Sequence, residues 1–313
     1  MSTRRQTTRA RSVLAAGFAG LAALALASPP ASVPLSTSQA ADPPAVPSTG
    51  GDLRLASWNI AWLAARDREG AVPRREDDYA RLRRYALRLD PDVVGLQEIE
   101  GVAAARRVFA PDRYAFAFAA GGGSAQRAGF AWKRGLRVTH HADVMALALG
   151  GKSRAGADIT VHAARGDLRL LSIHLKSGCP GGRLDGADTA CRLLAEQGRA
   201  LEAWIDARAR EGGAFAVLGD FNRRFSERDP FWIDLDDADP PEADLFDAGF
   251  GRRPPCWNGR YRQYIDHIVL SRTAAGWLVP GSFLQQVYDL SDAPWESVLS
   301  DHCPIEVRLR TGG

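Results

Sequence analysis

The residues that could do chemistry stand where apolar runs stop. Asn59 follows Leu53 to Trp58, Glu98 follows Val93 to Gln97, and His174 follows Leu168 to Ile173. Asp220 closes the run Ala216 to Gly219, with Asn222 two residues on. Asp266 lies beside Ile268-Val269-Leu270, and Asp301-His302 precede Ile305 to Leu309. Burying one unpaired polar group costs roughly 2–7 kcal/mol. Any single one of these residues reads as a satisfied polar group at a strand end. Six such ends together read as strand tips that converge on one pocket. Carboxylates, carboxamides and histidines around one pocket can hold a divalent cation, take a proton from water and steady a leaving oxygen. Those are the requirements of a hydrolytic site.

The elements that must position these groups alternate between strand and helix. Leu53 to Asn59 reads as a strand. Tyr79, Leu82, Ala86 and Leu89 repeat at helical spacing until Asp90-Pro91 stops them. Val93 to Leu96, Phe130 to Trp132, Val144 to Leu149 and Leu168 to His174 read as further strands. Leu194, Leu201, Trp204, Ile205 and Arg208 mark a second amphipathic helix, ended by Gly212-Gly213. Phe215 to Leu218, Ile265 to Leu270 and Ile305 to Leu309 complete the strands. Strand–helix–strand runs from Leu53 to Glu98 and again from Leu168 to Asp220, which suggests two similar sheet-and-helix layers packed together.

Composition narrows the setting. The formal charge of +3 owes four arginines, Arg4, Arg5, Arg9 and Arg11, to the segment before the first acid, Asp42. Without them 36 basic residues face 37 acidic ones, so a broad cationic footprint is not expected. Val13 to Ala27 is uncharged and too short to span a bilayer comfortably. Residues 1–27 therefore read as a secretory signal, with cleavage as late as 40 the alternative. Residues 28–50 contain six prolines and read as a flexible linker. Residues 51–313 are expected to form one domain, secreted or periplasmic and monomeric. In an oxidising compartment the four cysteines suggest disulfides. Three pairings are open; Cys179–Cys191 with Cys256–Cys303 is the preferred one.

The motifs SWNIAWL (Ser57–Leu63), GLQEIE (Gly95–Glu100), SIHLKSG (Ser172–Gly178), LGDFNRR (Leu218–Arg224), YIDHIVLS (Tyr264–Ser271) and LSDHCPI (Leu299–Ile305) resemble the endonuclease/exonuclease/phosphatase superfamily. That group includes pancreatic deoxyribonuclease, abasic-site endonucleases, bacterial sphingomyelinases and inositol-phosphate phosphatases. The resemblance implies an α/β (α+β) fold, a four-layer αββα sandwich of two packed mixed sheets with helices outside. It implies Mg²⁺, with Mn²⁺ or Ca²⁺ as substitutes, held by Asn59, Glu98 and Asp301. It implies Asp220 as the group that orients or deprotonates water and Asn222 as its partner on the phosphate. Asp266 and His302 become the pair that binds the scissile phosphate, and His174 the histidine of the deoxyribonuclease and sphingomyelinase branches. Arg127 falls near a phosphate-contacting arginine of some members. Ala61 stands where some members carry a second acid, which implies a thinner metal shell.

Other polar residues divide between cleft and surface. Lys176, two residues after His174, is a phosphate-contact candidate on the same strand face. Arg223-Arg224, Arg252-Arg253, Arg260 and Arg262, interleaved with Trp257 and Tyr261, could border a cleft for nucleic acid through phosphate contacts and stacking. His267 should face away from Asp266 and be structural. The acids from Asp234 to Asp247 read as a solvated insertion. The expected activity is phosphodiester hydrolysis by a nuclease of low sequence specificity. A phospholipase C- or sphingomyelinase-like enzyme, a phosphomonoesterase of a small substrate and a non-catalytic binding protein are the alternatives.

Overall fold

The computed structural model describes residues 51–120 and 126–312. The expected signal segment and linker lie outside the described residues. In chain order the strands are β1 (Asp52–Leu63), β2 (Val93–Ile99), β3 (Tyr114–Phe118), β4 (Arg127–Lys133), β5 (Arg137–His140) and β6 (Ala157–Ala163). They continue with β7 (Gly166–His174), β8 (Ala214–Asp220), β9 (Leu245–Asp247), β10 (Asp266–Ser271), β11 (Leu284–Gln285) and β12 (Ile305–Arg310). Two six-stranded sheets result, ordered β11-β12-β1-β2-β4-β3 and β5-β6-β7-β8-β10-β9. Helix α1 (Glu76–Leu89) connects β1 to its parallel neighbour β2, and helix α2 (Thr189–Arg210) connects β7 to β8 in the same way. The two strand–helix–strand units read in the sequence are therefore the central units of the two sheets.

Both helices form for local reasons. Asp78 accepts the Arg75 N–H at 2.9 Å, and Asp188 accepts from Ala190 and Cys191 at 2.7 and 3.1 Å, each satisfying orphan donors at an N-terminus. The predicted stripe of α1 is buried, with Tyr85 added to it. Asp90 ends α1 in a left-handed conformation.

Each central strand buries both faces, which is why its sequence reads as a continuous apolar run. Leu170, Ala216, Leu218 and Ile268 meet Leu55, Val93 and Val307 between the sheets. Their neighbours Leu171, Val217 and Val269 pack under α2, as Trp58, Val94 and Leu96 pack under α1. The sheets approach closely at Gly95, where an added Cβ would stand 2.9 Å from Leu218.

One expected strand is absent. Met145–Gly151 is a 3₁₀ segment with left-handed Leu149 and Gly150. Leu147 and Ala148 plug apolar pockets, and the paired glycines let the chain turn there; burial, not pleating, explains the apolar run. Cys179–Cys191 and Cys256–Cys303 are disulfides, the preferred pairing. Among the described residues no helix is long and apolar enough to cross a membrane.

Candidate active site

Strand parity delivers the site. Asn59 shares the inter-sheet face of β1 with Leu53 and Leu55; His174 shares that of β7 with Leu168 and Leu170; Asp220 follows Ala216 and Leu218 on β8. Asp266 pairs directly with Asp220 across the antiparallel β8–β10 ladder, and His174 pairs with Asp220 across the parallel β7–β8 ladder. Below them Ser57, Gln97 and Ser172 form a buried polar layer, Ser57 Oγ to Gln97 Oε1 at 3.3 Å and Gln97 Nε2 to Ser172 Oγ at 3.2 Å.

Glu98 breaks parity. Alternation from Val94 and Leu96 would send it to the helix side. A register shift between Leu96 and Ile99 and a φ of 61° at Glu98 turn it into the site instead. Bulges of this kind re-aim side chains next to active sites. Gly219, with φ 147°, passes so close to Ile173 that an added Cβ would sit 2.0 Å from its carbonyl oxygen. Only glycine fits immediately before Asp220.

The assembled groups form two clusters that share Asp220: Glu98, His174 and Asp220, and Asp220, Asp266 and His302. His174 Nε2 lies 3.6 Å from both Glu98 Oε1 and Asp220 Oδ2. His302 Nδ1 hydrogen-bonds Asp266 Oδ2 at 2.8 Å, and its Nε2 stands 3.7 Å from Asp220 Oδ2. The Asn222 N–H donates to Asp220 Oδ1 at 2.8 Å, and Asn222 itself is left-handed, with φ 53°. Asn59 Nδ2 spans Glu98 Oε1 and Asp220 Oδ2 at 3.2 and 3.1 Å, while its oxygen accepts the Ala61 N–H. As placed, Asn59 bridges the two acids; serving as a cation ligand would require the amide to turn.

Burial pushes the Asp220 carboxyl up to about 7; His302 opposes this and Asp266 adds to it. Burial would lower His302, but Asp266 and then Asp220 outweigh it and hold the ring protonated well above the usual histidine range. Burial, with the Arg154 charge adding to it, keeps His174 well below that range and therefore neutral.

Three expected residues lie outside these clusters. Asp301 is largely exposed, 3.9 Å from His302 Nε2, at the rim. Arg127 is exposed, with its guanidinium over Gly101. Its neighbour Gln126 reaches inward instead, Nε2 to Glu98 Oε2 at 2.8 Å. Lys176 does not share a strand face with His174, because β7 ends at His174; its Nζ donates to the Ser177 carbonyl.

Two arginines were missed by sequence reasoning. Arg154 is largely buried, donates to Gln126 Oε1 at 2.9 Å and brings positive charge to Glu98 and Asp220. Its one sequence signal is a lone arginine just ahead of the alternating strand β6. Arg74 is fully buried and donates to the carbonyls of Ile60, Ala61, Trp62, Val298 and Leu299. It ties the exit of β1 to the His302 loop. Ser300 tightens the same junction, donating to the Asn59 carbonyl and accepting the His302 N–H.

Some cleft expectations change. Arg223 is buried against Asp229 and the Cys179 carbonyl, so it is structural. Trp257 is also structural: it stacks on Tyr288 and donates to the Ser300 carbonyl. His267 does face away, between Asp247 and the Arg223 carbonyl. Asp247 is thereby buried, unlike the exposed acids Asp234, Asp237 and Asp239 before it. Arg224, Arg260, Arg262 and Tyr261 do line a cleft of about 590 Å³ that opens beside Asp266 and His302. A second cavity of about 540 Å³ opens beside Glu98, and Asp301 borders both.

Two mixed sheets between helices, with acids and histidines gathered at the tips of the central strands, define a hydrolase fold. The chain belongs to the endonuclease/exonuclease/phosphatase family, whose model matches residues 56–302. No curated protein matches the sequence. Among solved structures it is similar to the human Nocturnin catalytic domain with bound sulfate anion. The TM-score is 0.57 at 16% identity, over 82% of this chain and 92% of that one. It is also similar to the AP endonuclease LMAP from Leishmania major, with a TM-score of 0.54 at 15% identity, over 83% and 88%. A family member from Bacteroides vulgatus gives a TM-score of 0.53 at 15% identity, over 83% and 99%. These likenesses show the fold. Enzymes of this family are generally dependent on divalent metal, and the carboxylate and histidine clusters here could hold one.

Proposed function

We propose that this protein is a metal-dependent phosphodiesterase, a secreted or periplasmic nuclease of low sequence specificity that uses Mg²⁺. The observation that carries the reading is the shared position of Asp220. One oxygen, Oδ2, faces Asn59 and His174 on the side of Glu98, and His302 on the other. Hard carboxylate oxygens suit Mg²⁺, and Glu98 would hold the ion. When bound, the cation relieves charge on the phosphoryl oxygens.

The remaining steps belong to the chain. Asp220, with its carboxyl near 7, can accept the proton of an attacking water at neutral pH. The Asn222 N–H fixes the other oxygen of that carboxylate. His302, kept cationic by Asp266, can donate a hydrogen bond to the phosphate from Nε2. Neutral His174 can do the same, and Arg154 offsets the negative charge of the two acids.

Arg224 and Arg262 make no side-chain ion pair among the described residues and border the cleft with Tyr261, which supports a polyanionic substrate. The likeness to an AP endonuclease supports nucleic acid as that substrate. The two disulfides support export.

The test is purified residues 42–313 assayed on plasmid, RNA, sphingomyelin and nitrophenyl phosphates, each with Mg²⁺, Mn²⁺, Ca²⁺ or chelator. Chelator-sensitive cleavage of plasmid and RNA is expected. Intact nucleic acid alongside hydrolysis of another ester would overturn the reading.

A further inference from the structure

Trp62 sits where a tryptophan is least expected. Its φ is 55°, in the left-handed region that bulky side chains avoid, and it directly follows left-handed Ala61. The residue is 40% exposed. Its backbone is held from both sides: the N–H donates to Glu98 Oε2 at 3.1 Å, and the carbonyl accepts from Arg74 at 3.2 Å. The indole has no such restraint. Among the described residues it makes no hydrogen bond and meets no aromatic ring or guanidinium. Trp58, Trp204 and Trp257 contrast with it, since each places Nε1 on an acceptor. Strain of this sort persists only where the surroundings enforce it, and it clusters at functional sites.

The surroundings point to a ligand. The cavity beside Glu98 is lined by apolar Trp62, Val72, Ala293 and Pro294 together with the acids Glu98, Glu296 and Asp301. A flat, unpartnered ring thus faces the space next to the acid that would hold the cation. With the scissile phosphate at that acid, as the proposed function has it, a neighbouring substrate group would come within reach of Trp62. We infer that Trp62 is a stacking platform for the nucleobase adjoining the scissile phosphate, which makes the Glu98-side cavity a base subsite. This rests on the nuclease reading and deepens it. Stacking is tolerant of sequence because every base has a π face.

The test uses short strands with a single phosphodiester among uncharged methylphosphonate linkages. One strand is intact; two analogues lack the base on the 5′ or the 3′ side of that linkage. The full chain, Trp62→Ala and Trp62→Phe are compared on all three with Mg²⁺. Trp62→Ala should lower kcat/KM about 5- to 150-fold on the intact strand. It should cause no loss on the one analogue that lacks the stacked base, and Trp62→Phe should keep most of the rate. An equal loss on all three strands would overturn the proposal, because the side chain would then act only through the local backbone conformation and its N–H bond to Glu98; so would no loss on any. Wild-type protein that leaves every strand intact while hydrolysing another phosphate ester would overturn the nuclease reading itself, and the base subsite with it.

Discussion

At the scale of single residues, His302 is informative because its environment works in opposite directions. Burial disfavours the imidazolium, yet Asp266 at 2.8 Å and Asp220 at 3.7 Å restore it. Asp266→Asn removes the larger of these supports while keeping the hydrogen-bonding shape. The folded-state pKa of His302 should therefore fall, so the ring loses its proton at lower pH. The alkaline limb of the activity profile should move downward, with a loss of about 10²–10⁴ in kcat at neutral pH. A pH–rate profile checks this, and an unmoved alkaline limb would count against His302 as the donor. The residues of the two clusters were legible in the sequence because each is a polar group at or next to an end of an apolar strand. Arg154 and Arg74 were not, because their partners are a glutamine or carbonyls from distant segments, and nothing in the neighbouring sequence marks such partners. Trp62 was not singled out in the sequence, because its left-handed backbone is held by contacts to Glu98 and Arg74 from other segments.

At the scale of elements, periodicity recovered β1, β2, β7, β8, β10 and both long helices, since each buries an apolar stripe or run. It failed at Met145–Gly151, where a short apolar segment plugs a pocket, and it passed over β3, β5, β6, β9 and β11, most of them short and all on the outer parts of the sheets. Strand alternation alone also misplaces Glu98, which depends on the β2 bulge. Two predictions belong here. Gly219→Ala puts a methyl against the Ile173 carbonyl at a φ that only glycine tolerates. It should destabilise by at least 1–3 kcal/mol and abolish activity even in the folded fraction, because Asp220 must shift. Denaturant unfolding with a parallel assay checks both effects.

The second concerns α2. Burial, with Asp237, Asp206 and Asp234 close by, pushes Glu202 from an ordinary 4.5 up to about 8. Between those values the folded protein keeps a proton that the unfolded chain has released. Stability must therefore fall as pH rises through that window. Glu202→Gln should flatten the decline in Tm between pH 5 and pH 8 and raise Tm at pH 8. Calorimetry reads this directly, and an unchanged slope would refute it.

At the scale of the molecule, two sheets each built around a strand–helix–strand unit place their central tips together. The His302 loop is then fastened from several directions. Cys256–Cys303 joins it to the segment that walls the arginine-lined cleft, Tyr288 donates to the His302 carbonyl, and Arg74 binds Val298 and Leu299. Replacing Cys256 and Cys303 together by alanine should lower Tm by on the order of 10 °C, since a bridge closing a loop of 47 residues limits the unfolded chain. It should also reduce kcat, because Cys303 adjoins His302. Loss of Tm with full activity would show that the bridge does not position the histidine. Four-layer architecture was legible through the family motifs and the repeated unit; the position of the cleft walls was not, since Arg223 and Trp257 turned inward while Arg224 and Tyr261 stayed at the surface.

The most direct measurement is a paired one on Asp220→Asn: affinity for a single-stranded oligonucleotide and, separately, its rate of cleavage with Mg²⁺. Asparagine preserves the hydrogen-bonding shape but cannot accept the water proton. Binding should stay within a few-fold of wild type while turnover drops by about 10²–10⁴. Cleavage at the wild-type rate would contradict the account, because a carboxylate placed between both clusters would then have no part in the chemistry.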